Sequence, residues 1–192
     1  MKSFFALIDR LNGSEPVDRS AAEELIWSTF GVQKAVMALD MSQFSLSVRR
    51  SGILRYLGQI RRMQLVTRPL VREWHGEVVK YQADNLMAVF PDAADAVGAA
   101  VEINRGLTAV HEELVVGIGI DYGTFLMIPG KDCFGDAVNV AYKLGEDLAR
   151  PGEILITAAA RERLDGGFRY ALLEQRVSVS GLELAAYAVA YE

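Results

Sequence analysis

The chain has 192 residues, of which 51% are hydrophobic, with a formal net charge of −5, one cysteine and two histidines. That length supports one compact domain with a real core, and a half-apolar composition without low-complexity tracts argues against disorder. The lone Cys133 excludes an internal disulfide and suits a reducing cytoplasm; two separated histidines beside it make a zinc site improbable; the acidic balance gives no general reason to bind nucleic acid; and no apolar run reaches the length of a membrane span.

Residues 1–33 read as a helical extension ahead of a domain over residues 34–192. The first ten residues are too short and too soon charged for a signal peptide. Phe4, Phe5, Leu7, Ile8 and Leu11 fall on one helical stripe, which Asn12-Gly13-Ser14-Glu15-Pro16 breaks. Ser20 is placed to cap a second helix, with Glu23 completing a capping box. These helices are expected to pack on the main domain or on a second subunit, the other reading being a membrane or regulator contact. At 33 residues the extension is too short for a sensor domain.

From Lys34 the order reads strand, long helix, two strands, helix, strand. The apolar run 34–39 ends at Asp40. A helix from about Ser45 to Trp74 follows, which Pro69 kinks or ends. His75-Gly76-Glu77 turns into two strands around Asp84, and Pro91 opens a helix through about Val110. Residues 114–121 form a buried strand, with Tyr122-Gly123 as a turn into another strand ending near Ile128. A helix from Asp136 to Ala149, a strand at 154–157 and a strand-forming tail from Phe168 to Tyr191 complete the chain. Interleaved strands and helices with both hairpins and crossovers give an α+β class.

Seven arginines and no acid lie between Arg49 and Arg72. A solvated helix face explains most of them; the sharper reading is that one or two reach a polyphosphate or an acidic partner surface.

Two aspartates carry the chemistry. Asp40 and Asp84 each close or interrupt an apolar run, where a carboxylate is costly to bury unless something pairs with it. If neighbouring strands place both at one sheet edge, their repulsion calls for a cation. Mg²⁺ or Mn²⁺ is the natural candidate, shared with substrate phosphates. Two such ions about 3.5–4 Å apart can stabilise the attacking and leaving oxygens of a phosphoryl displacement. Directly after Asp40, Met41-Ser42-Gln43-Phe44-Ser45 leads into a helix whose first amides form a ready phosphate cradle. Taken singly, Asp40 also reads as a helix cap. Asn139 and Lys143, four apart, share a helix face and pair a neutral amide with a cation, suited to a ribose and a developing phosphorane charge; a polar surface stripe is the alternative.

Three segments together, Leu39-Asp40-Met41-Ser42-Gln43-Phe44-Ser45, Lys80-Tyr81-Gln82-Ala83-Asp84 and the run from Asp132 to Ala141, resemble the catalytic domain of class III nucleotidyl cyclases, the adenylyl and guanylyl cyclase family, over residues 34–190. The resemblance implies a ferredoxin-like βαββαβ core with extra C-terminal strands. It also implies a head-to-tail homodimer with active sites at the interface, and ATP or another nucleoside triphosphate as substrate. By position, Asp40 and Asp84, with the Met41 carbonyl, correspond to the ligands of two Mg²⁺ or Mn²⁺ ions. Lys80 and Asp132 correspond to the pair that reads adenine, Asn139 to the residue that orients the ribose, and Lys143 to the transition-state arginine. Ser42, Gln43, Phe44 and Ser45 would hold phosphate. Gln43 and Ala83 stand where the family has glycines, and Ser180 where many members have a lysine. The implied activity is conversion of ATP to 3′,5′-cyclic AMP and pyrophosphate. The alternatives are another cyclic nucleotide, or a weakly active nucleotide-binding or dimerisation module.

Overall fold

The structure is a computed structural model that describes residues 4–13, 16–41, 52–111, 114–179 and 182–191. Two helices, α1 (Phe4–Gly13) and α2 (Pro16–Phe30), lead without a linker into β1 (Gly31–Met41). Then follow α3 (Ile53–Glu73), β2 (Glu77–Gln82), β3 (Asn85–Phe90), α4 (Ala93–Val110), β4 (Val116–Ile128), β5 (Asp132–Phe134) and α5 (Asp136–Tyr142). A π-helical turn over Lys143–Leu148 extends α5, and β6 (Ile154–Thr157), α6 (Ala158–Arg161), β7 (Ala171–Val179) and β8 (Leu182–Ala190) complete the chain.

The strands form one sheet in the order β2-β3-β1-β4-β6-β8-β7, with β5 paired to the far end of β4. β1 is antiparallel to both β3 and β4, and β4 runs parallel to β6. The β1-α3-β2-β3-α4-β4 portion is the expected βαββαβ core, and β6, β7 and β8 are the added C-terminal strands.

Alternation along β1 and β4 sends side chains to opposite faces. Met37, Leu39, Ile118 and Ile120 pack with Tyr56 and Met63 of α3 and Val97 and Ile103 of α4. Val36, Ala38 and Phe125 pack on the other face with Ala137, Val138 and Ala141 of α5. α3 and α4 therefore cover one side of the sheet, and α5 with its π turn covers the other.

The N-terminal helices pack on the domain. Phe4, Leu7 and Ile26 form a small cluster against Leu126 and Ile128 of β4, and the Phe4 ring stacks on Phe134 of β5 at 5.7 Å. α2 begins at Pro16, whose fixed φ suits a first helical turn; Ser20 therefore sits inside the helix and is not its cap. β4 runs unbroken through Tyr122-Gly123, with Gly123 opposite Lys34 of β1, so the expected turn there is absent. Gly123 serves instead to bring α5 close: a Cβ on it would lie 3.1 Å from that of Ala137. Pro69 is accommodated inside α3 without ending it. Among the described residues no helix is long and apolar enough to cross a membrane.

Candidate active site

Asp40 is the penultimate residue of β1, opposite Asn85 on β3 and Gly117 on β4. Asp84 lies in the two-residue connection between Gln82 and Asn85, which are paired across the β2–β3 hairpin. Register therefore carries the two aspartates, 44 positions apart in sequence, to the same end of neighbouring strands. The hairpin needs a left-handed residue at its first loop position, and Ala83 adopts φ 51° there, a conformation that costs a non-glycine residue about 1 kcal/mol or more.

The electrostatics of this corner are unfavourable to anions. Burial, then the charges of Asp84 and Glu146, and more weakly Asp147, push the Asp40 carboxyl up to about 7, against a single opposing hydrogen bond from the Met41 backbone. Burial and the neighbouring Asp147 and Asp84 raise Glu146 as well, and Lys143 pulls the other way. Glu146 is held in place by the Asn85 side-chain amide, which donates to it. The hydroxyl of buried Tyr56, on α3, faces Asp84, and its burial and that carboxylate push its ionisation upward. Glu146, Asn85 and Tyr56 were given no role by the sequence. Glu146 falls in the helix expected from Asp136 to Ala149, but only the folded chain brings it across to β1 and β3.

A second cluster joins β2 and β5. Lys80 Nζ donates to Asp132 Oδ1 at 2.8 Å, both side chains being partly exposed. Cys133, next to Asp132, is buried with Val79, Met87 and Val89, which draws the short β5 strand over the β2–β3 hairpin. That burial pushes the Cys133 thiol up to about 12, the charge of Asp132 adding to it, so this cysteine is an inert packing residue. Among the described residues no hydrogen bond or ion pair links the Lys80–Asp132 pair to the aspartate corner.

Asn139 and Lys143 are exposed on α5 and at the start of the π turn. The Lys143 amide still bonds to the Asn139 carbonyl, so the two side chains rise from one helix face as their spacing implies. The Lys143 ammonium is paired with Asp147 at 2.5 Å, a contact that raises its ionisation. Beyond Lys143 the helix widens into the π turn, and Gly145 there presses on the sheet: a Cβ would meet the Ala38 carbonyl at 2.6 Å and the Gly119 amide at 2.9 Å. Such widened turns recur at functional sites. Here the turn places Glu146 over the strand ends that carry Asp40 and Asn85. Ser42, Gln43, Phe44, Ser45 and Ser180 lie outside the described residues. Met41 is buried at the end of β1.

No profile of a known protein family matches the sequence. The solved catalytic core of a rhodopsin-guanylyl cyclase with converted specificity, in complex with ATPαS, superposes over 83% of this chain and 97% of its own, with a TM-score of 0.72 and 22% identity. An adenylate/guanylate cyclase/hydrolase from Silicibacter pomeroyi superposes over 84% of this chain and 98% of its own, with a TM-score of 0.69 and 25% identity. The chain has the class III nucleotidyl cyclase fold. In sequence the chain is 30% identical over 138 residues to a Rhizobium meliloti protein named "Putative adenylate cyclase 3", covering 69% of the chain. It spans 23% of the length of that protein and of the other curated relatives it matches.

Proposed function

We propose that this cyclase domain converts ATP to 3′,5′-cyclic AMP and pyrophosphate at sites formed between two copies of the chain. The observation that carries the reading is the convergence of Asp40 and Asp84 at one corner of the sheet, with Asp40 driven toward neutrality by its acidic neighbours. A pair of carboxylates under mutual repulsion fits Mg²⁺ or Mn²⁺, which one or two carboxylates hold together with substrate phosphates. Asp40, Asp84 and the Met41 carbonyl would hold the ions, the remaining ligand positions falling to oxygens of the nucleotide and to water. When bound, the ions lower the pKa of the ribose 3′-hydroxyl and offset charge on the leaving pyrophosphate.

The rest of the work falls to positioning and charge. The Lys80 ammonium donates to a purine ring nitrogen and the Asp132 carboxylate accepts from the exocyclic amine, the edge pattern of adenine. In the free chain these two groups satisfy each other at 2.8 Å, so the base competes with a pair already aligned. Asn139 orients the ribose. Lys143, released from Asp147, meets the charge that builds on the α-phosphate as the 3′-oxygen attacks. One subunit supplies Asp40 and Asp84, and its partner supplies Lys80, Asp132, Asn139 and Lys143. This division agrees with the separation of the two clusters within one chain.

Incubation of the protein with each of the four ribonucleoside triphosphates and Mn²⁺ tests the reading. Cyclic AMP is the expected product. A cyclic pyrimidine or cyclic GMP as the main product would reassign the substrate, and no product from any of the four would leave a binding module. For base choice, Lys80→Glu is expected to lower kcat/KM for ATP at least about tenfold, since a site built to pair a polar edge rejects a mismatched one strongly. An unchanged preference for ATP over GTP would remove Lys80 from that role.

A further inference from the structure

The arginine run is not absorbed by the cyclase chemistry. α3 turns Tyr56, Ile60, Met63, Thr67 and Val71 into the core. The opposite side carries Leu54, Leu57, Arg61, Leu65, Arg68 and Arg72, spaced 3, 4, 4, 3 and 4, which is one continuous outward stripe. Leu54 is 81% exposed, Leu65 57% and Leu57 50%. Arg55 and Arg62 flank the stripe, and Glu73 is the only acid in the helix. None of these five arginines forms an ion pair with a described residue; Arg61 donates to Gln64 at 3.3 Å and Arg68 lies over the Tyr81 ring. A chain of net charge −5 thus concentrates unpaired positive charge and bare leucine along one helix face whose positions 54–72 span about 27 Å of rise. That face lies on the α3–α4 side of the sheet, away from α5 and the π turn.

We infer that the outer face of α3 docks on an anionic phospholipid surface. Leucines standing proud among arginines along one face of a helix match a helix lying in the headgroup layer: guanidinium groups reach lipid phosphates while the leucines enter the acyl boundary. Each arginine near an anionic leaflet adds attraction that salt screens. A folded acidic partner would satisfy the charges, but on this convex face it would have to supply its own cavity for each leucine; a fluid bilayer adapts to them. The inference does not depend on the cyclase reading.

The test is co-sedimentation of the full chain with vesicles of phosphatidylcholine alone and with about 30% phosphatidylglycerol. Binding is expected to the second and not the first, and to fall as salt rises. Combined Arg61→Gln, Arg68→Gln and Arg72→Gln is expected to reduce the vesicle partition coefficient about a hundredfold. Leu54→Ser with Leu65→Ser is expected to weaken binding even at low salt, which separates insertion from charge attraction alone. All five positions are on the surface, and far-UV circular dichroism checks that the variants fold. No sedimentation with anionic vesicles at low salt, or equal binding by the arginine variant, overturns the inference. So does retention on an acidic polypeptide such as polyglutamate without vesicle association, which assigns the face to an acidic macromolecule.

Discussion

Asp40→Asn is expected to abolish cyclase turnover, by a factor of about 10³ or more, while making the metal-free protein more stable at neutral and alkaline pH. The two effects have one cause. Burial, Asp84 and Glu146 oppose the Asp40 charge and raise its carboxyl from the usual range to about 7. A carboxylate whose folded-state pKa lies above its unfolded value holds a proton more tightly when folded. Its contribution to stability is present below about pH 4, declines as pH rises, and is lost above about pH 7. Replacing it with a neutral amide removes that loss, and after allowance for solvent screening the gain is about 1–2 kcal/mol at pH 8. A divalent cation does by charge what the amide does by neutrality. Mn²⁺ should therefore raise the melting temperature of the parent protein, more strongly at pH 8 than at pH 6, because the ligand must first release its proton. Asp40→Asn should be insensitive to Mn²⁺. Thermal melts at both pH values, with and without Mn²⁺, separate a metal ligand from a merely buried acid. A variant that turns over normally, or that gains the same Mn²⁺ stabilisation as the parent, would remove Asp40 from the site.

Gly119→Ala is expected to cost about 3 kcal/mol of stability, a fall of roughly 8 °C in melting temperature for a chain of this size, and most of the turnover with it. A Cβ on Gly119 would lie 2.2 Å from the Ala141 carbonyl and 2.5 Å from the Gly145 amide. Both are backbone atoms, so no rotamer change relieves the overlap, and the helix itself has to lift from the sheet. That helix carries Asn139, Lys143 and Glu146, so the displacement reaches each of them. Gly58 supplies the control. It lies inside α3, where an added methyl group would meet nothing within 4 Å, and its φ is not positive. Gly58→Ala should therefore stabilise by up to about 1 kcal/mol through the reduced freedom of the unfolded chain. Equal melting temperatures for the two variants would contradict the close packing of the π turn on β1 and β4.

Much of this architecture is legible in sequence because it depends on local pattern. The stripe of α1, the helix α4 and the apolar runs of β1, β3, β4 and β6 appear where local pattern places them, since burial of one face is what selects each element. α3 begins at Ile53, after Gly52 at φ 80°, and the stretch from Ser45 to Ser51 of the expected helix lies outside the described residues. Errors occur where two local signals compete. Ser20 has capping chemistry, but Pro16 starts the helix a turn earlier. Tyr122-Gly123 looks like a turn, but ladder pairing to β1 carries the strand straight through. Gly145 gives no local sign that the helix around it widens, because the carbonyl it presses on, that of Ala38, belongs to a strand far earlier in the chain.

The sequence by itself determined the α+β class, most of the order of elements and the candidate residues to be placed, because these follow from side-chain type and spacing along the chain. Only the tertiary structure decided which of those residues share a location. Strand register set Asp40 beside Asp84, and burial of Cys133 drew Asp132 onto Lys80. The bare glycines of β4 let Glu146 close over the aspartate corner. Such neighbours are fixed by pairing and packing between distant segments, and the charge each carboxyl bears depends on how close those segments bring it to the others.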